Sequence, residues 1–168
     1  MRETLEEAGI AVAISGDAVA VRAALHGGAP LRAIDRDALE ALVPFARWRP
    51  DLGVARRFDT WFFADRAPAG AEAVVDGTEN VRACWTRPAA VLAGAAAGDV
   101  RLLYPTRRVL ERLALHGDVA AVLADAAAWP TPVIAPRVEW RNGAEQLCIP
   151  DGLGYPVTAE PLDGVLRG

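Results

Sequence analysis

Lysine is absent: all eighteen basic residues of the 168-residue chain are arginine. That excludes a lysine Schiff base and a phosphate loop built on lysine, and it leaves the guanidinium fork as the cationic grip on phosphate or carboxylate. The same bias fits the coding of a GC-rich gene, to which the abundance of Ala, Gly and Pro also points. Cysteine is nearly absent. Cys84 and Cys148 stand alone, which excludes a disulfide framework and a CxxC redox or zinc pattern. The two histidines, His26 and His116, are each followed by Gly at expected helix ends, a capping position more than a catalytic one. No apolar run approaches the roughly twenty residues a spanning helix needs, and charges follow Met1 in place of a leader-like stretch. The expectation is a cytoplasmic chain with no membrane partner. A net charge of −4 and a pI near 5.2 give no electrostatic footprint for nucleic acid.

What is present is a globular composition, 52% hydrophobic and 24% charged, long enough for one domain over residues 1–168 with a proper core. After a first helix, Ala11–Ser15 is short and apolar. Asp17 caps a helix to about His26, stopped by Gly27-Gly28, and Asp35 or Asp37 begins another to Leu42. Residues 43–50 and 56–64 are aromatic-rich and bounded by Pro, Asp and Gly, as strands are, with 51–53 turning between them. Ala71–Val75 and Asn80–Thr86 read as further strands about an Asp76-Gly77 turn. Pro88 suits the first turn of a helix to Ala97. Thr106 caps Arg107–Leu115 and Asp118 caps Val119–Trp129. Residues 138–140 and 146–149 form a hairpin about Asn142-Gly143, and residues 151–168 form a Gly/Pro-rich loop tail. Helices and strands mix without strict alternation, which predicts an α+β fold or a mixed α/β sandwich.

The first ten residues carry the chemistry. Glu3, Glu6 and Glu7 stand at i, i+3, i+4, so one helical face presents three carboxylates. The Glu3/Glu7 pair costs a few tenths of a kcal/mol by repulsion, which a hard, oxygen-seeking divalent cation would convert to chelation. Arg2 reaches Glu6 at i, i+4, and Gly9 closes the helix. The plainer reading of the same residues is a solvated acidic first turn favoured by the helix dipole.

Arg2-Glu3-Thr4-Leu5-Glu6-Glu7-Ala8-Gly9-Ile10 resembles the second half of the Nudix box, Gly-x5-Glu-x7-Arg-Glu-U-x-Glu-Glu-x-Gly-U with U aliphatic. Pro44-x-x-x-Trp48, Arg57-Phe58-Asp59-Thr60-x-Phe62-Phe63, Glu79 with Trp85 and Pro88, and Tyr104-Pro105-Thr106-Arg107-x-x-Leu110 are similar to the branch containing coenzyme A diphosphatases. The resemblance covers about residues 1–115.

It implies a mixed sheet between helices in an α/β/α sandwich. It also implies hydrolysis of a nucleoside diphosphate linked to another moiety, coenzyme A or an acyl-coenzyme A being the best single substrate. The cofactor implied is Mg²⁺ or Mn²⁺ on Glu6 and Glu7, with Glu3 a further ligand or the base and Arg2 pairing with Glu3. Arg57 becomes the candidate grip on substrate phosphate beside Asp59, although i, i+2 spacing on one strand face equally suits a structural Arg/Asp pair. Glu79 is a candidate for another ligand or base, or else an exposed turn carboxylate. Trp48, Phe58, Trp61, Phe62 and Phe63 suit a core more than an adenine platform.

The box's Gly-x5-Glu half and the first strands of the sheet have no counterpart here. The expectation is therefore a chain opening inside the motif, with an exposed sheet edge that invites a homodimer. The alternative is a non-catalytic interaction module on a degenerate Nudix scaffold.

Overall fold

Short polar caps and glycines set where helices begin and end. The computed structural model describes residues 1–49, 58–75, 77 and 80–162. Its chain divides into two compact units, Met1–Leu42 with Asp65–Trp85, and Val43–Ala64 with Thr86–Gly168. Among the described residues there are six α-helices and two three-stranded sheets, an α+β arrangement. No helix among them is long and apolar enough to cross a membrane.

In the first unit, α1 (Arg2–Ala8) ends at Gly9, which adopts φ 70, the left-handed region that favours glycine. The Asp17 carboxylate accepts from the Val19 and Ala20 amides and starts α2 (Ala18–His26). Asp35 does the same for Ala38 at α3 (Arg36–Glu40). A single bridge pairs Ile14 with Ile34. Leu5, Ile10, Ala13 and Leu25 are buried, and α1 packs on α2.

The strands expected over Ala71–Val75 and Asn80–Thr86 do not form. Val74 donates its amide to the Ala8 carbonyl at the end of α1, and the Ala71 carbonyl accepts from the Trp85 indole. These backbone groups are satisfied by a helix end and a side chain instead of a ladder. Val81 is 92% exposed, so the apolar alternation that suggested a strand meets no layer to bury it. Asp76 lies outside the described residues.

The second unit begins with β1 (Val43–Trp48) and β2 (Thr60–Ala64), paired antiparallel. The register slips between Pro44 and Ala46, so Phe45 is the extra residue of a bulge. Proline has no amide to give the ladder, and a bulge accommodates it. Two helices follow, α4 (Pro88–Ala97), capped by Gly98 at φ 85, and α5 (Tyr104–Leu113). The latter starts before the expected Thr106 cap, because Pro105 fits the first helical turn, where amides lack intrahelical partners. Asp118 caps α6 (Val119–Ala128) through the Ala121 amide.

The Pro-rich run after Trp129 contains β3 (Val133–Ile134), parallel to β1, giving the order β2-β1-β3. The hairpin of β4 (Arg137–Arg141) and β5 (Ala144–Cys148) turns on Asn142 at φ 51 and Gly143 at φ 78, the two positive values a tight primed turn requires. Part of the expected loop tail is ordered differently. Residues Ala159–Pro161 form β6 against β5, while Leu153 and Tyr155 are buried in the core. Gly and Pro in this stretch route the chain across the core surface, which composition alone reads as loop.

Trp48, fully buried, centres that core. Tyr104 and Tyr155 meet its ring edge-to-face at 6.0 and 5.7 Å, and its indole donates to the Tyr155 hydroxyl at 3.2 Å. Gly154, at φ 80, lies so close that a Cβ there would stand 2.9 Å from Arg112 Nε and from the Trp129 ring. Gly154→Ala should therefore destabilise the protein by about 1–3 kcal/mol, measured by urea unfolding; an unchanged midpoint would contradict the close packing.

Burial pushes the Tyr104 phenol up to about 12, and burial also raises Tyr155 against the opposing Trp48 and Arg112. The folded values lie above the ordinary value near 10. Their contribution to stability is thus complete below about pH 10 and is lost as pH rises toward 12. These are the two tyrosines of the chain, so absorbance at 295 nm should stay silent through about pH 10.5 and rise only with alkaline unfolding. Ionisation near pH 10 with native circular dichroism would contradict this.

Candidate functional site

Helix α1 is seven residues long, too short to persist in water on local propensity, so its carboxylates depend on what anchors it. Leu5 provides one anchor, at 1% exposed. The other is Arg22 of α2, whose Nε and terminal nitrogen donate to the Glu6 backbone carbonyl at 3.0 and 2.8 Å, the latter nitrogen also donating to the Val74 carbonyl at 2.7 Å. The His26 ring lies 3.3 Å from the same Glu6 oxygen. Cationic donors at a helix C-terminus meet carbonyls that have no intrahelical partner and the negative end of the dipole. A Cβ at Gly9 would come within 3.1 Å of this guanidinium, a second reason for glycine there.

On this anchored turn, Arg2 Nε donates to Glu6 Oε2 at 2.7 Å. The pair is the i, i+4 one that spacing predicts, and not the Arg2–Glu3 pair that the family resemblance implies. Glu3 is exposed, while Glu6 and Glu7 are half-buried. Glu7 Oε2 accepts from the Asn80 side-chain amide at 2.7 Å. The donor set fits a hard divalent cation in kind, being all carboxylate oxygen. It is short in number: among the described residues, no three of His, Cys, Asp and Glu gather as a cation would need.

Arg57 and Glu79 lie outside the described residues. Asp59, in the second unit, is held across the strands and not along its own. Arg47 of β1 donates to both of its oxygens, at 2.8 and 2.7 Å, and this guanidinium holds the Asp59 carboxyl below the usual range. Arg47 also covers the Trp61 ring at 4.8 Å, and Trp61 stacks on Phe63 at 5.9 Å. The aromatics split between roles. Trp48 is core and Phe62 packs against it, whereas Phe58, Trp61 and Phe63 are exposed.

Comparison with protein-family models, with curated proteins and with solved structures finds no match.

Sequence reasoning missed Arg22, Asn80 and Arg47. Arg47 has a usable signal, since pairing the two aromatic strands sets it opposite Trp61. Asn80, 73 positions from Glu7, has none. His26 ends α2 before the Gly27 cap as expected, whereas α5 is capped at Ala114 and His116 lies beyond it, its Nε2 3.4 Å from Asp125 Oδ2. Replacing Arg22 by Met should release α1, with amide exchange of Leu5–Gly9 faster by the equivalent of about 1.5–3 kcal/mol, the worth of hydrogen bonds from a charged donor. Unchanged protection of those amides would remove Arg22 from this role.

Proposed function

We propose that this chain is a Nudix-type hydrolase domain cleaving the pyrophosphate of a nucleoside diphosphate linked to another moiety, with coenzyme A or an acyl-coenzyme A as substrate. One observation carries the reading: Arg2–Ala8 is helical, bears Glu3, Glu6 and Glu7 with Arg2 paired to Glu6, and closes on Gly9 at φ 70. By resemblance, Glu3, Glu6 and Glu7 are the residues that would hold Mg²⁺ or Mn²⁺. When bound, such a cation lowers the pKa of a coordinated water and neutralises charge on the pyrophosphate.

The protein's own contribution is positioning. Arg22 fixes the turn that carries the carboxylates, Asn80 holds Glu7, and Arg2 restrains Glu6 until a cation competes for it. By resemblance, Arg57 and Asp59 belong to substrate binding and Glu79 to proton transfer or ligation. With Asp59 already paired to Arg47, its share is to hold that arginine in place.

A second reading, a non-catalytic binding module on a Nudix scaffold, is favoured by one fact: Glu6 is tied to Arg2 and no three acidic or imidazole groups gather among the described residues. Turnover separates the two. The chain joined to a Gly-x5-Glu segment in register with Arg2, given coenzyme A and Mg²⁺, should release phosphopantetheine, and Glu6→Gln or Glu7→Gln should lower the rate about a hundredfold or more. Activity that survives both substitutions would remove the glutamates from the mechanism, and no turnover of any nucleotide-linked diphosphate would favour the binding module.

A further inference from the structure

We infer that Arg108 works as an acid-tightened latch on residues 157–160 of the second unit: Glu111 and Glu160 share its guanidinium, and a proton taken up by Glu111 commits it to Glu160 and the Val157 carbonyl. Arg108 is 1% exposed and lies between α5 and β6. Its Nη2 donates to Glu160 Oε2 at 2.8 Å and its Nη1 to the Val157 carbonyl at 3.3 Å. The same Nη1 lies 3.2 Å from Glu111 Oε2. That contact is an ion pair in distance only, because Glu111 Oε2 is buried and accepts no hydrogen bond among the described residues, and Arg108 Nε is buried without an acceptor. One cation thus serves two carboxylates, and it serves them unequally.

A carboxylate charge that is buried without a donor is relieved by taking up a proton. Burial raises the Glu111 carboxyl, Arg108 opposes the rise, Glu160 adds to it, and Arg107 on the same helix offsets part. Tyr104, whose ring lies 5.1 Å from the guanidinium, and Cys148 of β5 are both raised by burial and stay neutral in acid. With the folded value above the unfolded one near about 4.3, the stability that a protonated Glu111 contributes is complete below the unfolded value and is lost as pH rises through the folded one. Protonation removes the competitor for Nη1 and leaves Arg108 to Glu160. What the latch grips is paired in turn: the Ile149 amide donates to the Thr158 carbonyl at 2.8 Å, and β6 pairs with β5 beside it.

The test is hydrogen exchange of the Ile149 amide in the full chain, corrected for the intrinsic rate, from about pH 7 to about pH 4.5. Protection should rise several-fold as pH falls. Glu111→Gln, a neutral mimic of the protonated acid, should hold protection high and independent of pH, whereas Glu160→Gln should lower it throughout. Flat protection in the unsubstituted chain, or an undiminished pH dependence in Glu111→Gln, would overturn the inference, as would unchanged protection in Glu160→Gln. A readout that needs no substitution is the ¹³C resonance of the Glu111 carboxyl, whose midpoint should lie above about 4.3, the value of a free glutamate side chain. A midpoint at or below that value would overturn the latch even where the variants fail to fold.

Discussion

A guanidinium buried to 1% exposure organises the second unit. Arg112 of α5 donates to Asp125 of α6 at 2.7 Å and to the Phe45 carbonyl of β1 at 2.9 Å, and it lies over the Phe45 and Tyr155 rings. A charge so placed must have partners on every side. Removing one partner of a buried pair typically costs about 3–5 kcal/mol, because the other charge stays buried. Asp125 in turn accepts from the Trp129 indole and lies near His116. The bulge that brings Phe45 inward also presents its carbonyl, and Gly154 leaves room for the guanidinium. Helices, sheet and final segment are registered by this one side chain.

One turn earlier, Arg108 repeats the pattern toward the second sheet, reaching Glu160 of β6 at 2.8 Å and Glu111 at 3.2 Å. This second pair is less well satisfied. Arg108 Nε and Glu111 Oε2 are buried without hydrogen-bond partners, and burial raises the Glu111 carboxyl despite the neighbouring arginine. In the first unit Arg22 plays the equivalent part, gripping the backbone carbonyls of Glu6 and Val74 as Arg112 grips those of Phe45 and Asp125. The absence of lysine acquires a structural meaning here. A planar fork with several donors can serve two or three acceptors at once, which an ammonium on a flexible stem does less well.

The candidate chemistry lies on a seven-residue helix of the first unit, and its fitness depends on restraints that helix does not contain. Three glutamates on one turn repel each other, and in isolation they would be solvated and mobile. Anchoring by Leu5 and Arg22, pairing by Arg2 and the Asn80 amide distinguish them, so that chemically identical side chains take different parts. The Arg47–Asp59 pair makes a similar point in the second unit. It converts a carboxylate that looked available for substrate into a brace for an arginine stacked on Trp61.

Residue order alone determined the features whose cause is local. Asp17, Asp35 and Asp118 cap helices because a carboxylate satisfies amides two or three residues onward. Gly9 and Gly98 end helices, and Asn142-Gly143 turns a hairpin, because few residues accept positive φ. The spacing of Glu3, Glu6 and Glu7 and the Arg2–Glu6 pair belong to the same class, as does the α+β mixture of elements. Tertiary structure alone decided what depends on distant partners. It left Ala71–Val75 and Asn80–Thr86 without strands, since no sheet edge or apolar layer receives them, and it drew β6 from a stretch that composition reads as loop. It gave Asp59 to Arg47 and Glu7 to Asn80. Those choices turn on which groups must be buried and paired at once, a condition set across the chain and invisible in any window of it.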